Sequence, residues 1–412
     1  MKKIIILILA LFPIAAFSQG TVVDTSFFCD TLGFDRSVAV YLPEGYDPHG
    51  TVDYPVVYFL HGYSGNHLSY PEIYAWLNSM IGNYDIYPVI IVKPDGSIGP
   101  YVAAFYTNSE LYGNFEDYIV SDLVEFIDSS FRTIPERNKR GIMGHSMGGY
   151  GCMKAALKHP DIYRGVASHS GVLDIFILFS LITPYILAEN GGAPPYNYTY
   201  GAGSITNIAF TLSGAFSPNM GNPPYYVDFP LDSQGNPVDT VLDRWIPHNP
   251  PNMAAQLPPE THLAIYFDCG QQDEVFCYPP NLAFRDSLDL LSIDYLFRQF
   301  TGGHALIYSS FYASMTFLDS VMSSSAGSCD YVVGDANNSG GYNGLDVTYG
   351  VAFFKGGPAP PYVCECTPYN YWYVSGDVNG SCNYNGLDIT YGVAYFKGGP
   401  NPIPCPDCPP VE

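Results

Sequence analysis

The chain is poor in positive charge: its 412 residues hold 16 lysines and arginines against 39 aspartates and glutamates, a formal net charge of −23. Such a surface repels polyanions, so nucleic acid is excluded as a partner. Charge of either sign is scarce, at 13% of residues, and there are only three tryptophans. Long apolar runs are missing after the first 17 residues. The most apolar later stretch, 173–187, carries Asp174, Ser180 and Pro184 and falls short of the ~20 residues that a membrane span needs. No membrane span is expected.

Apolar residues are plentiful at 47%, with 36 tyrosines, 35 prolines and 41 glycines, which suits a globular chain with long irregular loops. Residues 1–18 read as a secretory signal: Lys2 and Lys3, an apolar run from Ile4 to Phe17, then Ala16-Phe17-Ser18. A secreted protein, extracellular or attached to a cell surface, is expected. The ten cysteines suit that compartment. Cys29, Cys152, Cys269 and Cys277 precede residue 323 and the other six follow it, so each set can pair internally, with connectivity open.

Between residues 19 and 322, short apolar segments alternate with amphipathic ones. Strands are predicted over 37–42, 55–60, 89–93, 141–144, 165–169, 263–267 and 295–300, several of them apolar throughout, as strands buried on both faces are. Helices are predicted over 71–81, 115–131, 147–158, 280–291 and 305–322. The alternation predicts an α/β domain with a doubly wound, mostly parallel sheet. Residues 173–251 break the rhythm with Pro194-Pro195-Tyr196-Asn197-Tyr198 and Pro223-Pro224-Tyr225-Tyr226, and read as an inserted cap or long loops. Its aromatics either line a cleft or pack on one another.

A serine-rich linker at 323–328 precedes a region, 329–412, that repeats itself at an offset of 42 residues. Gly334-Asp335-Ala336-Asn337 returns as Gly376-Asp377-Val378-Asn379, and Asn343-Gly344-Leu345-Asp346 as Asn385-Gly386-Leu387-Asp388.

The segment Gly144-His145-Ser146-Met147-Gly148 places a serine between a predicted strand and a predicted helix. A nucleophile on so sharp a turn needs small neighbours, and the Met147 amide at the helix start is placed to donate to an oxyanion. The hydroxyl needs a base, and the base an acid, in the chain order serine, acid, histidine. His159 and His169 follow the serine too closely and His248 and His262 precede the best acid, which leaves His304 as the base, at the start of the last predicted helix. Asp273, on the loop after the strand 263–267, is the candidate acid; Glu274 is its rival, and Asp268 lies on the strand as a structural carboxylate. The second oxyanion donor is expected from Leu60-His61-Gly62-Tyr63, through the Tyr63 amide, with His61 either orienting the loop or packing.

With those residues in place, the first 320 or so positions resemble the α/β-hydrolase superfamily of feruloyl esterases, acetyl-xylan esterases, S-formylglutathione hydrolase and mycolyltransferases. Gly-His-Ser-Met-Gly-Gly, Leu60-His61-Gly62, Tyr106-Thr107-Asn108-Ser109, Gly113 to Ile119, Cys269-Gly270 with Asp273, and Gly302-Gly303-His304 carry the resemblance. It implies a serine esterase working through an acyl-enzyme, without a catalytic cofactor, on feruloyl or acetyl esters of plant cell-wall polysaccharide. An acyltransferase with the same three residues, or a non-catalytic binding protein on the same shell, are the alternatives.

In each C-terminal repeat, oxygen-bearing residues fall at loop positions 1, 3, 5, 9 and 12: Asp335, Asn337, Ser339, Asn343 and Asp346, then Asp377, Asn379, Ser381, Asn385 and Asp388. That spacing wraps a hard cation such as Ca2+. A loop with one following helix, present twice, resembles a type I dockerin, which implies an EF-hand-like α domain and a cohesin-like scaffold or cell-surface partner. Cys382 departs from the pattern at position 6, where Gly340 stands in the first loop.

Overall fold

The computed structural model describes residues 19–192, 194–199, 204–258, 261–323, 331–361, 364–367, 370–406, 408 and 410. The signal expected at 1–18 and linker residues 324–328 lie outside them. The strands of the main sheet are β1 (Thr21–Cys29), β2 (Phe34–Leu42), β3 (Val56–Leu60), β4 (Ile90–Pro94), β5 (Arg140–His145), β6 (Gly165–His169), β7 (Ala264–Gly270) and β8 (Leu296–Phe300). They lie in the order β1-β2-β4-β3-β5-β6-β7-β8. From β4 to β8 neighbours are parallel, and β1 and β2 pair antiparallel at one edge. β1 was not expected from the sequence.

Successive residues of the central strands enter opposite cores, as the two-residue period of a strand requires. Val56, Tyr58 and Leu60 face helices α2 (Leu123–Ser130), α3 (Met147–Lys158) and α6 (Tyr278–Leu291). Val57 and Phe59 face α1 (Glu72–Gly82) and α7 (Tyr308–Ser323). A helix is predicted over 115–131; it contains a π-helical stretch, Tyr118–Asp122, which turns Ile119 and Val120 into the core. Two boundaries shift. Ser323, expected in the linker, ends α7, and α7 begins four residues after His304.

The insertion at 173–251 is built around two helices. Asp174 caps α4 (Ile175–Glu189) by accepting from the amides of Phe176 and Ile177, and Ser204 caps α5 (Ile205–Phe216). Glu189 then joins the two, its carboxylate accepting from the amides of Ile205 and Thr206 at 2.9 and 2.8 Å. No helix among the described residues is long and apolar enough to cross a membrane.

The C-terminal repeats each fold as a loop followed by a helix, α8 (Gly344–Phe354) and α9 (Gly386–Tyr395). They interlock reciprocally: Tyr342 packs over Gly392 and stacks on Tyr395, while Tyr384 packs over Gly350 and stacks on Phe353.

Candidate active site

Parallel pairing brings the ends of β3 and β5 side by side, Leu60 opposite Gly144, and those of β7 and β8, Gly270 opposite Phe300. Four loops therefore leave the sheet at its carboxyl edge, the usual place for a site in such folds. Between β5 and α3, Ser146 is held at φ 60° and ψ −119°, a conformation costly for any residue with a side chain. The glycines around it admit a close approach. A Cβ on Gly148 would stand 2.0 Å from the carbonyl oxygen of Leu60, and one on Gly144 2.3 Å from that of Gly148.

The Ser146 hydroxyl lies 2.8 Å from Nε2 of His304, whose Nδ1 lies 2.8 Å from Oδ2 of Asp273. Asp273 is acceptor-only when ionised, so Nδ1 carries the proton and Nε2 is free to accept from the serine. The other oxygen of Asp273 accepts from the amides of Val275 and Cys277 at 3.0 and 3.1 Å. Burial pushes the Asp273 carboxyl up, but the hydrogen bond and charge of His304 and those two amides outweigh it, holding it below the usual carboxylate range. The three expected residues thus meet, with His304 on the loop before α7 rather than on the helix.

The rival acids serve other purposes. Glu274 is exposed and accepts from the main-chain N–H of His304 at 2.9 Å. Asp268 is buried against His169 at 2.9 Å and Tyr266 at 2.7 Å, and His169 reaches Ser314 at 3.0 Å. That second serine–histidine–aspartate array is sealed in the core, where no substrate reaches it; it ties β6 and β7 to α7.

Met147 opens α3 and Tyr63 follows the tip of β3. Among the described residues neither N–H has a protein acceptor, and both residues line the cavity that holds Ser146. His61 orients the Tyr63 loop. The Gly96 amide donates to its Nε2 at 2.8 Å, which fixes Nδ1 as the donor to the Gly62 carbonyl, also at 2.8 Å.

The cavity has a volume of about 280 Å³ and is mostly apolar, walled by Phe105, Val172 and Val275, with Leu178 and Ile182 from α4 and Ile205 and Ile208 from α5. These four aliphatic positions escaped the sequence reading, which left the aromatics of the insertion either lining a cleft or packing on one another. They pack on one another, Phe210 on Tyr225 and Phe229 and Tyr196 on Phe229, with Tyr198 on Tyr101 outside the insertion. His145 and Tyr70 escaped it too. Their only signal was a histidine next to the nucleophile.

Residues 30–313 match the family described as "Putative esterase". The chain belongs to this esterase family. An esterase of Mycobacterium tuberculosis is 32% identical over 163 residues, 38% of this chain and 33% of that protein. An endo-1,4-beta-xylanase/feruloyl esterase of Xylanibacter ruminicola is 28% identical over 160 residues, 35% of this chain and 21% of that one. The match thus spans about a third or less of these relatives' length. The solved structure of a ferulic acid esterase superposes with a TM-score of 0.54 at 19% identity, over 74% of this chain and 99% of the other, and shows the shared α/β-hydrolase-like fold.

In the C-terminal loops Asp335 and Asp346 approach each other, as do Asp377 and Asp388. Their oxygens accept from loop amides, such as Gly340 to Asp335 at 2.6 Å and Cys382 to Asp377 at 2.7 Å. All four carboxylates are buried, and among the described residues none has a cationic partner. Buried like charges in pairs fit a cation between them. Asn343 and Asn385 turn to cap α8 and α9, accepting from the amides of Leu345 and Leu387. Ser339 and Ser381 lie 3.4 and 3.2 Å from the carbonyl oxygens of Gly341 and Asn383, and Asn379 accepts from Ser381; Asn337 donates its amide to Asp346. Cys382 takes the same left-handed turn as Gly340, at φ 57° against 91°, and forms a disulfide with Cys405. The four cysteines before residue 323 are free and buried.

Proposed function

We propose that this chain is a serine-dependent carboxylic ester hydrolase. The observation that carries the reading is the continuous Ser146–His304–Asp273 hydrogen-bond chain at the mouth of an apolar cavity. Ser146 attacks the ester carbonyl carbon while His304 Nε2 takes its proton, and the amides of Met147 and Tyr63 hold the oxyanion. Collapse expels the alcohol, which receives that proton from His304, and leaves an acyl group on Ser146. Water, deprotonated by His304, then releases the acid and restores the serine.

Of the two acyl groups expected from the sequence, the cavity favours feruloyl over acetyl. Roughly 150 Å³ of apolar cavity houses a benzene ring, so a chamber of about 280 Å³ accepts a phenylpropanoid and is mostly empty around an acetyl. The feruloyl esterase relative supports the same choice, with plant cell-wall polysaccharide as the alcohol side. The expected export signal supports an extracellular or cell-surface location. We assign the C-terminal repeats to Ca2+, held by Asp335 and Asp346 and by Asp377 and Asp388 with carbonyl and side-chain oxygens of each loop, and to docking on a cohesin-like partner.

The test is hydrolysis of a small aryl ester and of methyl ferulate. Ser146→Ala and His304→Ala should each lower kcat roughly 10⁴-fold or more without changing the fold, because triad members act as a unit. Wild-type rates in either variant would refute the assignment.

A further inference from the structure

We propose that Tyr70 and His145 form a clamp that positions the catalytic base, by holding the main chain of His304 against the turn that carries Ser146. Nε2 of His145 lies 2.6 Å from the carbonyl oxygen of His304, and Nδ1 lies 2.8 Å from the hydroxyl of Tyr70. A carbonyl only accepts, so Nε2 carries the hydrogen, Nδ1 is a lone pair, and Tyr70 donates to it. The tautomer is fixed from both ends.

The clamp supplies what the base-bearing loop lacks. Residues 301–307 between β8 and α7 are irregular. The N–H of His304 is held by Glu274, which is exposed and open to competition from water. On the other side of the same residue the carbonyl is held by His145, which is only 6% exposed. His145 is bonded directly to Ser146, so the path from nucleophile to base is one peptide unit and one hydrogen bond. Otherwise the two meet through their own side-chain hydrogen bond, and the base-bearing loop is tied at Gly302 to Gln272 of a separate loop rather than to the serine turn; a displacement of about 1 Å in such a pair costs on the order of 100-fold in rate.

Tyr70 is itself held in an unfavourable backbone conformation, φ 58°, packed edge-on to Phe59 at 5.2 Å between ring centres. Burial first, and the neighbouring His304 second, lower the pKa of His145 to about 4, which keeps it the neutral donor–acceptor that this arrangement uses. The rings of His145 and His304 are 4.8 Å apart, so a charged His145 would also oppose the imidazolium that forms on His304 during catalysis.

The inference rests on the triad reading, and Ser146→Ala separates the two: activity in that variant sinks the triad, whereas an inactive Ser146→Ala beside a wild-type-like His145→Leu sinks only the clamp. His145→Leu should lower kcat roughly 30-fold or more with KM within about threefold, since the base is misplaced while the aliphatic walls of the cavity, which His145 also lines, remain. His145→Gln, whose amide donates to the same carbonyl, should recover to within about fivefold of wild type. Tyr70→Phe should cost roughly threefold to tenfold in kcat, and add little to His145→Leu, because both act through one contact. Equal impairment of the Gln and Leu variants, or multiplication of the Tyr70 and His145 losses, would overturn it. Should His145→Leu fail to fold, Tyr70→Phe and His145→Gln decide: an unimpaired kcat in Tyr70→Phe overturns the clamp.

Discussion

At Ser146 the backbone strain and the chemistry have one origin. Its φ of 60° lifts the hydroxyl off the sheet and aims the Met147 amide into the same space, and Gly144 and Gly148 are there because the turn leaves no room for a Cβ. Adjacent carboxylates on one loop are told apart by what each touches. Asp273 holds the imidazole, whereas Glu274 holds only the main chain. Asp273→Asn should therefore lower kcat roughly 10³- to 10⁴-fold by favouring the wrong tautomer of His304. Glu274→Gln keeps an acceptor for the His304 amide and should stay within about threefold of wild type. Steady-state kinetics of the two variants checks both; a greater loss in Glu274→Gln would move the acid by one residue.

At the level of elements, the insertion helices α4 and α5 supply four of the aliphatic side chains of the acyl cavity, and Thr211 of α5 also lies 3.4 Å from the Tyr63 hydroxyl on the oxyanion loop. On the proposed function, selectivity for the acyl group belongs to α4 and α5 rather than to the sheet. Ile182→Trp should fill the chamber, and the ratio of kcat/KM for methyl ferulate over an acetate ester should fall at least roughly tenfold, about 1.4 kcal/mol of discrimination. An unchanged ratio would place the acyl group elsewhere. The same helices explain which of the two readings of the aromatics holds: with no named strand among its described residues the insertion builds a core of its own, and its aromatics are used in doing so.

For the molecule as a whole, buried charge is the feature most open to measurement. Lys93 is 1% exposed, has no carboxylate partner among the described residues, donates to the carbonyl of Tyr70 at 3.4 Å and sits over the ring of Tyr74 at 4.5 Å. Burial lowers its pKa to about 8. The unfolded chain therefore binds a proton that the folded chain loses as pH rises through 8, so the cost of this lysine to stability is full below pH 8 and fades toward the ordinary lysine range. Lys93→Met should stabilise the protein by about 1 to 3 kcal/mol at pH 7, with the gain shrinking above pH 8 in denaturant titrations. Equal gains at pH 7 and pH 10 would show that the charge is not the cause. In the C-terminal repeats, millimolar calcium should raise the temperature of the transition to which they belong, and Asp346→Ala together with Asp388→Ala should abolish the shift. Calorimetry of the full chain with and without chelator reads this directly.

Much of this was legible in the sequence for local reasons. A strand buried on both faces must be largely apolar, so the five inner parallel strands β3 to β7 were readable for that reason, whereas β1, at an edge with Val22 and Phe28 exposed, carries no such pattern. The nucleophile turn needs glycine on both sides, and the order of serine, acid and histidine along the chain follows from the fold, so Ser146, His304 and the loop that carries Asp273 and Glu274 could be picked out before any distance was known. Tertiary structure alone decided between Asp273 and Glu274, because the choice depends on which carboxylate faces an imidazole 31 residues away. It also decided that α4 and α5 line the cavity and that His145 reaches back to His304. Those contacts join residues from separate strands and loops, and composition and period report only what neighbours along the chain require.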